Sequence, residues 1–206
     1  MRTRVVTISH ATGAGGRANG RTVAERLGFS YIDEEIIAIA ARREGVDAAV
    51  VADTERRRTF LERLFSGMAG AMDPAVIGGG VDAVTPDGTL RTLIIEAIHE
   101  TAERGAAVIV SHAASIPLAG RGDVLRILIT ASPDTRVRRV AQEGADRLDA
   151  AKFVTENDEA RADYFERFYR IERELPTHYD LVVNTDALTS DEAVDIIVAA
   201  AQRRTG

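Results

Sequence analysis

The stretch that most limits how this chain can fold is "TISHATGAGGRANGRTVAERLG", residues 7 to 28. A β-branched run passes into a glycine cluster and then into a sequence with helical spacing. Glycine permits the positive-φ backbone that a tight strand-to-helix turn requires. The helix that follows leaves its first N–H groups without intrahelical partners, and its dipole favours negative charge there. Strand, glycine turn and helix N-terminus in that order make a cradle for a phosphate or another anion. The plain alternative is a glycine-rich turn with no ligand.

Two kinds of nucleotide site fit these glycines. Gly13-x-Gly15-x-x-Ala18 satisfies the dinucleotide spacing, and Asp33 lies 20 residues after Gly13, where a carboxylate binds a ribose hydroxyl. In dinucleotide sites, however, the glycines turn the chain almost as soon as the strand ends. Here Ser9, His10, Ala11 and Thr12 separate the apolar run from Gly13. A loop of that length can wrap a phosphate with several inward N–H groups, which favours the P-loop type. In that alignment Gly13, Ala14 and Gly15 make the turn. Gly16 stands where a lysine normally reaches the β- and γ-phosphates, and Ala18 where a Ser/Thr hydroxyl meets Mg2+. Arg17 is the neighbouring candidate for the missing charge, since a guanidinium bridges phosphate oxygens bidentately. An NAD-binding oxidoreductase is the rival reading.

The rest of the chain alternates short apolar runs with helical patterns. Strands are expected at Thr3 to Ser9, Ser30 to Asp33, Ala107 to Ser111, Val124 to Thr130 and Asp180 to Asn184. Near-continuous apolarity in "AAVIV" and "LRILIT" suits strands covered on both faces of a parallel sheet. Helices are expected at Arg17 to Leu27, Glu34 to Arg43, Thr54 to about Met68, Leu90 to Arg104, Pro133 to Glu143 and Asp191 to Arg203. Ser132 is the expected N-cap before Pro133, and Thr189 or Ser190 caps the last helix. The alternation implies an α/β domain. Residues 34 to 86 interrupt it with helices and the glycine-rich link "VIGGGVDAVTPDG", and residues 145 to 175 are charged and helical in pattern.

At 206 residues the chain suits one domain, or a core with a small insertion. A net charge of -6 gives no reason to expect nucleic-acid binding. Zero cysteines exclude disulfides, thiolate metal sites and cysteine nucleophiles. No apolar run approaches the roughly 20 residues that span a bilayer, and "MRTRVVTISH" is too short in its apolar part for a secretory signal, so no membrane association and a cytoplasmic location are expected. Of the 26 basic residues only Lys152 is lysine, so arginine carries nearly all the cationic chemistry. The histidines at 10, 99, 112 and 178 have no metal-ligand spacing.

The N-terminal stretch, through "GFSYIDEEII", resembles the cytidylate kinase-like family, a branch of the P-loop nucleoside monophosphate kinases. Its members read "ITIS", a "GSGGR" loop, and a helix ending in "LG" before an aromatic-x-Asp segment. The resemblance makes Gly16 and Ala18 traits of the branch. "TENDEARADYFERFY" is similar to the family's lid, with Asp158, Arg161, Tyr164 and Phe165 at its Asp, Arg and paired aromatics. "HYDLVVNTDALTSDEAVDIIV" is similar to the closing strand and helix and puts Thr185 among the nucleotide-binding residues. Residues 45 to 90 carry no specific match.

The resemblance implies a three-layer α/β/α P-loop NTPase fold with a five-stranded parallel sheet. The core would cover 1–33, 87–144 and 176–206, with a helical NMP-binding insertion over about 34–86 and an arginine-bearing lid over about 145–175. It also implies phosphoryl transfer from ATP, with Mg2+, to a nucleoside monophosphate. One position departs from the family. Ser111 and His112 stand where Gly-Arg usually follows the third strand, and neutral histidine has no fixed charge near pH 7. The acceptor is therefore left open.

Phosphoryl transfer needs positioning and charge neutralisation more than covalent chemistry. Gly13, Ala14, Gly15, Gly16 and Arg17 are the expected donor cradle, and Arg139 and Arg161 the arginines that join Arg17 on the transferring group. "DTRVRRVAQEGADRLD" also carries Arg136, on the same helical face as Arg139. Asp33 and His112 are expected to face the acceptor. Asp33 is also the candidate for metal-bound water, or an N-cap for a helix beginning at Glu34. A catalytically weak nucleotide-binding regulatory protein of the same fold is the alternative function. Phe60, Leu61, Leu64, Phe65 and Met68 form an apolar helical face that suits either core packing or a homodimer seam.

Overall fold

In the computed structural model the described residues are 2–33, 86–110, 113–144 and 146–203. The helices expected at Glu34 to Arg43 and Thr54 to Met68, the apolar face from Phe60 to Met68, the Gly78 to Gly80 run, Ser111 and His112 lie outside them. The chain divides into two compact units, one of residues 1–34 with 98–206 and one of residues 35–97. All five strands belong to the first.

Its elements are β1 (Val5–His10), α1 (Gly16–Leu27), β2 (Ser30–Ile32), the end of α2 (Pro86–Arg104), β3 (Ala107–Val110), β4 (Val124–Thr130), α3 (Pro133–Gln142), α4 (Arg147–Tyr169), a 3-10 turn at Pro176–His178, β5 (Leu181–Asn184) and α5 (Ser190–Arg203). The strands form one five-stranded sheet in the order β2-β3-β1-β4-β5, and every pairing is parallel. A parallel sheet needs both faces covered because its strands are apolar on both sides. Val6 and Ile8 of β1 join Val108, Val110, Ile127 and Ile129 in a core with Val23 and Ala24 of α1 and Val194, Ile197 and Val198 of α5. Each such aliphatic side chain stabilises the fold by about 1.5–3 kcal/mol through burial. Alternation sends Thr7 and Ser9 to the other face. There Thr7 shares a 2.8 Å hydroxyl hydrogen bond with Ser115.

The order of strands separates the two nucleotide readings. In a dinucleotide fold β1 and β2 are neighbours, whereas here β3 lies between them. Asp33, just after β2, is therefore two strands removed from β1 and is not placed as a ribose-binding carboxylate on the adjacent strand. β1 also runs one residue further than its sequence pattern suggests, to His10, so that Ala11 and Thr12 precede Gly13. It begins at Val5 rather than Thr3, where the Arg4 and Val5 N–H groups both bond to the Asp123 carbonyl at 2.8 and 3.2 Å.

The helix ends follow their local chemistry. Gly28 closes α1 in the left-handed conformation, φ 67°, which glycine adopts without a Cβ penalty. Ser132 caps α3 and accepts from the Thr135 N–H, with Pro133 in the first turn. For α5, Thr189 and Glu192 form a reciprocal cap, the Thr189 N–H donating to Glu192 at 2.8 Å and the Glu192 N–H to the Thr189 hydroxyl at 3.3 Å. Ser190 instead donates to Asn19 of α1. No helix among the described residues is long and apolar enough to cross a membrane.

Candidate active site

The loop Ala11 to Gly15 lies at the carboxyl end of the central strand, the edge at which open α/β sheets bind ligands. Its turn is closed by the Ala14 N–H donating to the Ala11 carbonyl at 3.0 Å. Gly13 and Gly15 take φ of 79° and 82°, which excludes most side chains. Gly13 is also pressed against α3, and a Cβ there would come within 2.8 Å of the Arg136 carbonyl oxygen.

Side chains from outside the loop hold its carbonyls. Arg161 donates to the His10 carbonyl at 3.2 Å. Arg136 donates to that of Thr12 at 3.4 Å, and Arg139 to that of Gly13 at 3.5 Å. The Thr185 hydroxyl donates to that of Ala14 at 3.1 Å. In a trans peptide the C=O and the next residue's N–H point in opposite directions. Drawing the Thr12 and Ala14 carbonyls to one side therefore turns the Gly13 and Gly15 N–H groups to the other. Among the described residues the N–H groups of Gly13, Gly15, Gly16 and Ala18 have no acceptor, and α1 has no side-chain N-cap. A ring of donors at a helix N-terminus is an anion site.

The arginines have distinct jobs. Arg136 is buried and makes a bidentate pair with Asp158 of α4 at 2.9 and 2.7 Å. Arg139 binds Thr185, at 2.9 Å to its hydroxyl and 2.6 Å to its carbonyl, so it locks the end of β5 to the loop. Thr185 itself is buried. Arg161 donates to both Glu174 oxygens at 2.9 and 2.6 Å and to the Ser9 hydroxyl at 2.8 Å, with its guanidinium 5.0 Å from the Phe165 ring centre. Tyr179 donates to the same Glu174 carboxylate, and burial followed by that carboxylate pushes its pKa up. Tyr164 stacks on Phe168 at 4.6 Å.

Arg17 is more exposed than Arg136 and Arg161. Its side chain is 57% exposed, and its Nε lies 3.6 Å from Asp33 Oδ2. Asp33 also accepts from the Tyr31 hydroxyl at 3.1 Å. The Arg17–Asp33 pair thus lies beside the helix N-terminus. The His10 ring packs on Gly16. Burial, with Arg161 and Arg17 adding repulsion against the hydrogen bond to Ala11, lowers its pKa to about 4. His10 is neutral near pH 7.

The structure brings together Gly13 to Arg17, Arg139, Arg161, Thr185 and Asp33 around the carboxyl end of β1, while His112 is outside the described residues. Sequence reasoning missed Glu174, Ser9 and Tyr179. Glu174 lies 13 residues beyond Arg161 and past the end of α4, so helical spacing gives no signal for the pair. No group of three or more His, Cys, Asp or Glu among the described residues is placed to hold a metal ion. With Ala18 bearing no hydroxyl and Asp33 already engaged by Tyr31 and Arg17, the described residues do not form a magnesium site by themselves.

The fold is shared with kinases. An uncharacterized protein from Eubacterium ventriosum superposes with a TM-score of 0.66 at 18% identity, over 96% of this chain and 97% of that one. Shikimate kinase from Bacteroides thetaiotaomicron gives 0.53 at 16%, over 95% and 97%. Shikimate kinase from Acinetobacter baumannii gives 0.51 at 13%, over 99% and 96%. Sheet order, glycine cradle and these likenesses define the class as a P-loop kinase fold. Residues 5–187 match the cytidylate kinase-like family, and the chain belongs to it. A cytidylate kinase from Methanocorpusculum labreanum is 25% identical over 207 residues, covering 95% of this chain and 94% of that protein. Family and fold together support a kinase-like function on a nucleotide or other small molecule.

Proposed function

We propose that this protein is an ATP-dependent phosphotransferase that phosphorylates a nucleoside monophosphate or a similarly small acceptor. The observation that carries the reading is the set of loop carbonyls held outward by Arg136, Arg139 and Thr185, with the Gly13, Gly15, Gly16 and Ala18 N–H groups left to meet a polyphosphate. In this reading Arg17 adds charge from the open side. Arg161 exchanges Glu174 for a phosphate oxygen when nucleotide binds. Asp33 and His112 face the acceptor. An acceptor phosphate oxygen attacks the γ-phosphorus and ADP leaves, so positioning and electrostatics carry the catalysis. Mg2+, for which the described residues form no site of their own, would come with the nucleotide and would offset phosphate charge. The site acts in the cytoplasm and takes small-molecule partners, with neither nucleic acid nor membrane, and a homodimer is the assembly proposed.

Turnover with a panel of nucleoside monophosphates tests the reading: acceptor-dependent ADP release is expected for at least one of them. Arg17→Ala should weaken ATP binding and reduce its salt dependence. Unchanged affinity and salt dependence would make Arg17 an ordinary exposed helix residue.

A second reading is favoured by the Arg161–Glu174 pair, which already satisfies the lid arginine with a carboxylate. In it the chain binds nucleotide as a regulatory protein with little catalysis. Tight ATP binding without ADP release across the whole panel would select it.

A further inference from the structure

Ser9, Arg161, Glu174 and Tyr179 come from four separate parts of the chain and close a ring of hydrogen bonds at the carboxyl end of β1. Arg161 on α4 donates to the Ser9 hydroxyl at 2.8 Å and to Glu174 Oε1 at 2.6 Å. Its Nε donates to Glu174 Oε2 at 2.9 Å. The Tyr179 hydroxyl donates to the same Oε1, and a hydrogen bond from Ser9 to the phenolic oxygen completes the ring. Ser9 and Tyr179 are buried, while the Glu174 side chain keeps 22% of its surface exposed.

The two donors on Oε1 differ in what holds them. Tyr179 is fixed to the sheet. Its N–H donates to the Pro176 carbonyl at 3.1 Å, and the N–H of its neighbour Asp180 donates to the Arg126 carbonyl of β4 at 2.8 Å. The Asp180 carboxylate also pairs with the Arg126 guanidinium at 2.8 Å. Arg161 is carried instead by α4, and in the nucleotide reading its guanidinium turns from Glu174 to a phosphate. Burial and the Glu174 charge push the Tyr179 pKa up, so the hydroxyl keeps its proton and stays a donor near pH 7. A carboxylate that lost both donors would stand partly buried and unpaired, which is costly. One that followed Arg161 would set another negative charge beside the phosphates, and like charges brought together oppose binding.

We propose that Tyr179 is a positioning residue for the Arg161 exchange: its hydroxyl keeps Glu174 in place when the guanidinium turns to a nucleotide phosphate. Arg161 then moves alone, and the Glu174 carboxylate neither trails it nor is left without a donor from the ring. The proposal rests on the reading in which Arg161 leaves Glu174 for phosphate, and it assigns no contact between Tyr179 and the nucleotide.

Calorimetric titration with ATP, in the absence of any acceptor, compares the parent, Tyr179→Phe, Glu174→Gln and the double variant. Tyr179→Phe keeps the buried ring and should weaken ATP binding about tenfold, the size of one hydrogen bond to a charged group. In the Glu174→Gln background there is no carboxylate to hold, so the same change should alter affinity by about twofold at most. An equal loss in both backgrounds assigns Tyr179 to packing and overturns the proposal, as does a Tyr179→Phe chain that binds ATP like the parent. Hydrogen exchange in the parent gives a second readout that needs no variant. Directly after Glu174, the Leu175 N–H donates to His178 Nδ1 at 3.3 Å and the His178 N–H to the Leu175 carbonyl at 3.0 Å. Protection of these two amides should be unchanged at saturating ATP; its loss would mean that Glu174 leaves with Arg161, and the proposal falls. No ATP binding by the parent removes the phosphotransferase reading as well. Normal binding without ADP release removes only that reading, because the titration measures binding alone.

Discussion

His10 stands where a side chain at position 16 would begin: a Cβ added to Gly16 would fall well inside contact with His10 Cβ and Cγ. The end of β1 therefore occupies the volume from which a P-loop lysine would extend. Because the colliding atoms include the Cβ of His10, shortening that residue to alanine does not clear the space. Gly16→Lys should cost about 1–3 kcal/mol through overpacking and should not tighten ATP binding. Combining it with His10→Gly should recover part of the loss. Urea denaturation decides it: a single Gly16→Lys variant as stable as the parent contradicts the packing argument.

The same histidine gives the fold an acid-sensitive component. Its pKa in the folded chain is about 4, lowered from 6.5 chiefly by burial. As pH falls through 6.5 the unfolded chain takes up a proton that the folded chain refuses, so stability declines until about pH 4, where both forms are protonated. The loss is at most about 3 kcal/mol. Asp123 is held below its ordinary range by its Arg121 hydrogen bonds and titrates beneath that window. Stability measured across the window should fall in the parent and stay flatter in His10→Gln; parallel slopes exclude His10 as the source.

Arg161 is 10% exposed and pairs with Glu174. If nucleotide phosphate competes with that carboxylate, Glu174→Gln should tighten ATP binding by about fivefold, close to the strength of a partly exposed ion pair. Calorimetric titration of both proteins reads this directly. Weaker binding by the variant would mean that Glu174 orients Arg161 toward the nucleotide.

Asp158 accepts both arms of the buried Arg136 guanidinium, which also reaches the Thr12 carbonyl. Asp158→Ala leaves that charge without its counter-ion and should cost about 2 kcal/mol. It should also raise hydrogen exchange at Gly13 and Ala14. Exchange confined to α4 would show that the pair braces only the helix.

Ser132 caps α3 and also donates to Asp186 at 3.0 Å. Ser132→Ala should lower stability by about 1 kcal/mol in urea denaturation, while Ser132→Asn, which can still cap, should lose less. Equal losses would assign the effect to the Asp186 contact.

Much of the framework was legible because its causes are local. The apolar runs read as covered parallel strands, Ser132 with Pro133 read as a helix start, and the glycine spacing selected the phosphate-loop type. Strand order was not legible. Nothing near Asp33 in the sequence announces that β3 enters between β1 and β2, and that insertion separates this sheet from a dinucleotide-binding one.

The sequence by itself determined that a glycine loop would join a strand to a helix, because backbone freedom and helix-end donors are properties of neighbouring residues. Only the tertiary structure decided what the arginines do. Arg139 reaches Thr185, 46 residues away, and Arg161 reaches Ser9 across 152. Arg139 and Arg161, which the sequence points toward phosphate, hold backbone carbonyls, a threonine and a carboxylate of the fold. A side chain's partner depends on which distant element folds beside it, and helical or strand periodicity carries no record of that.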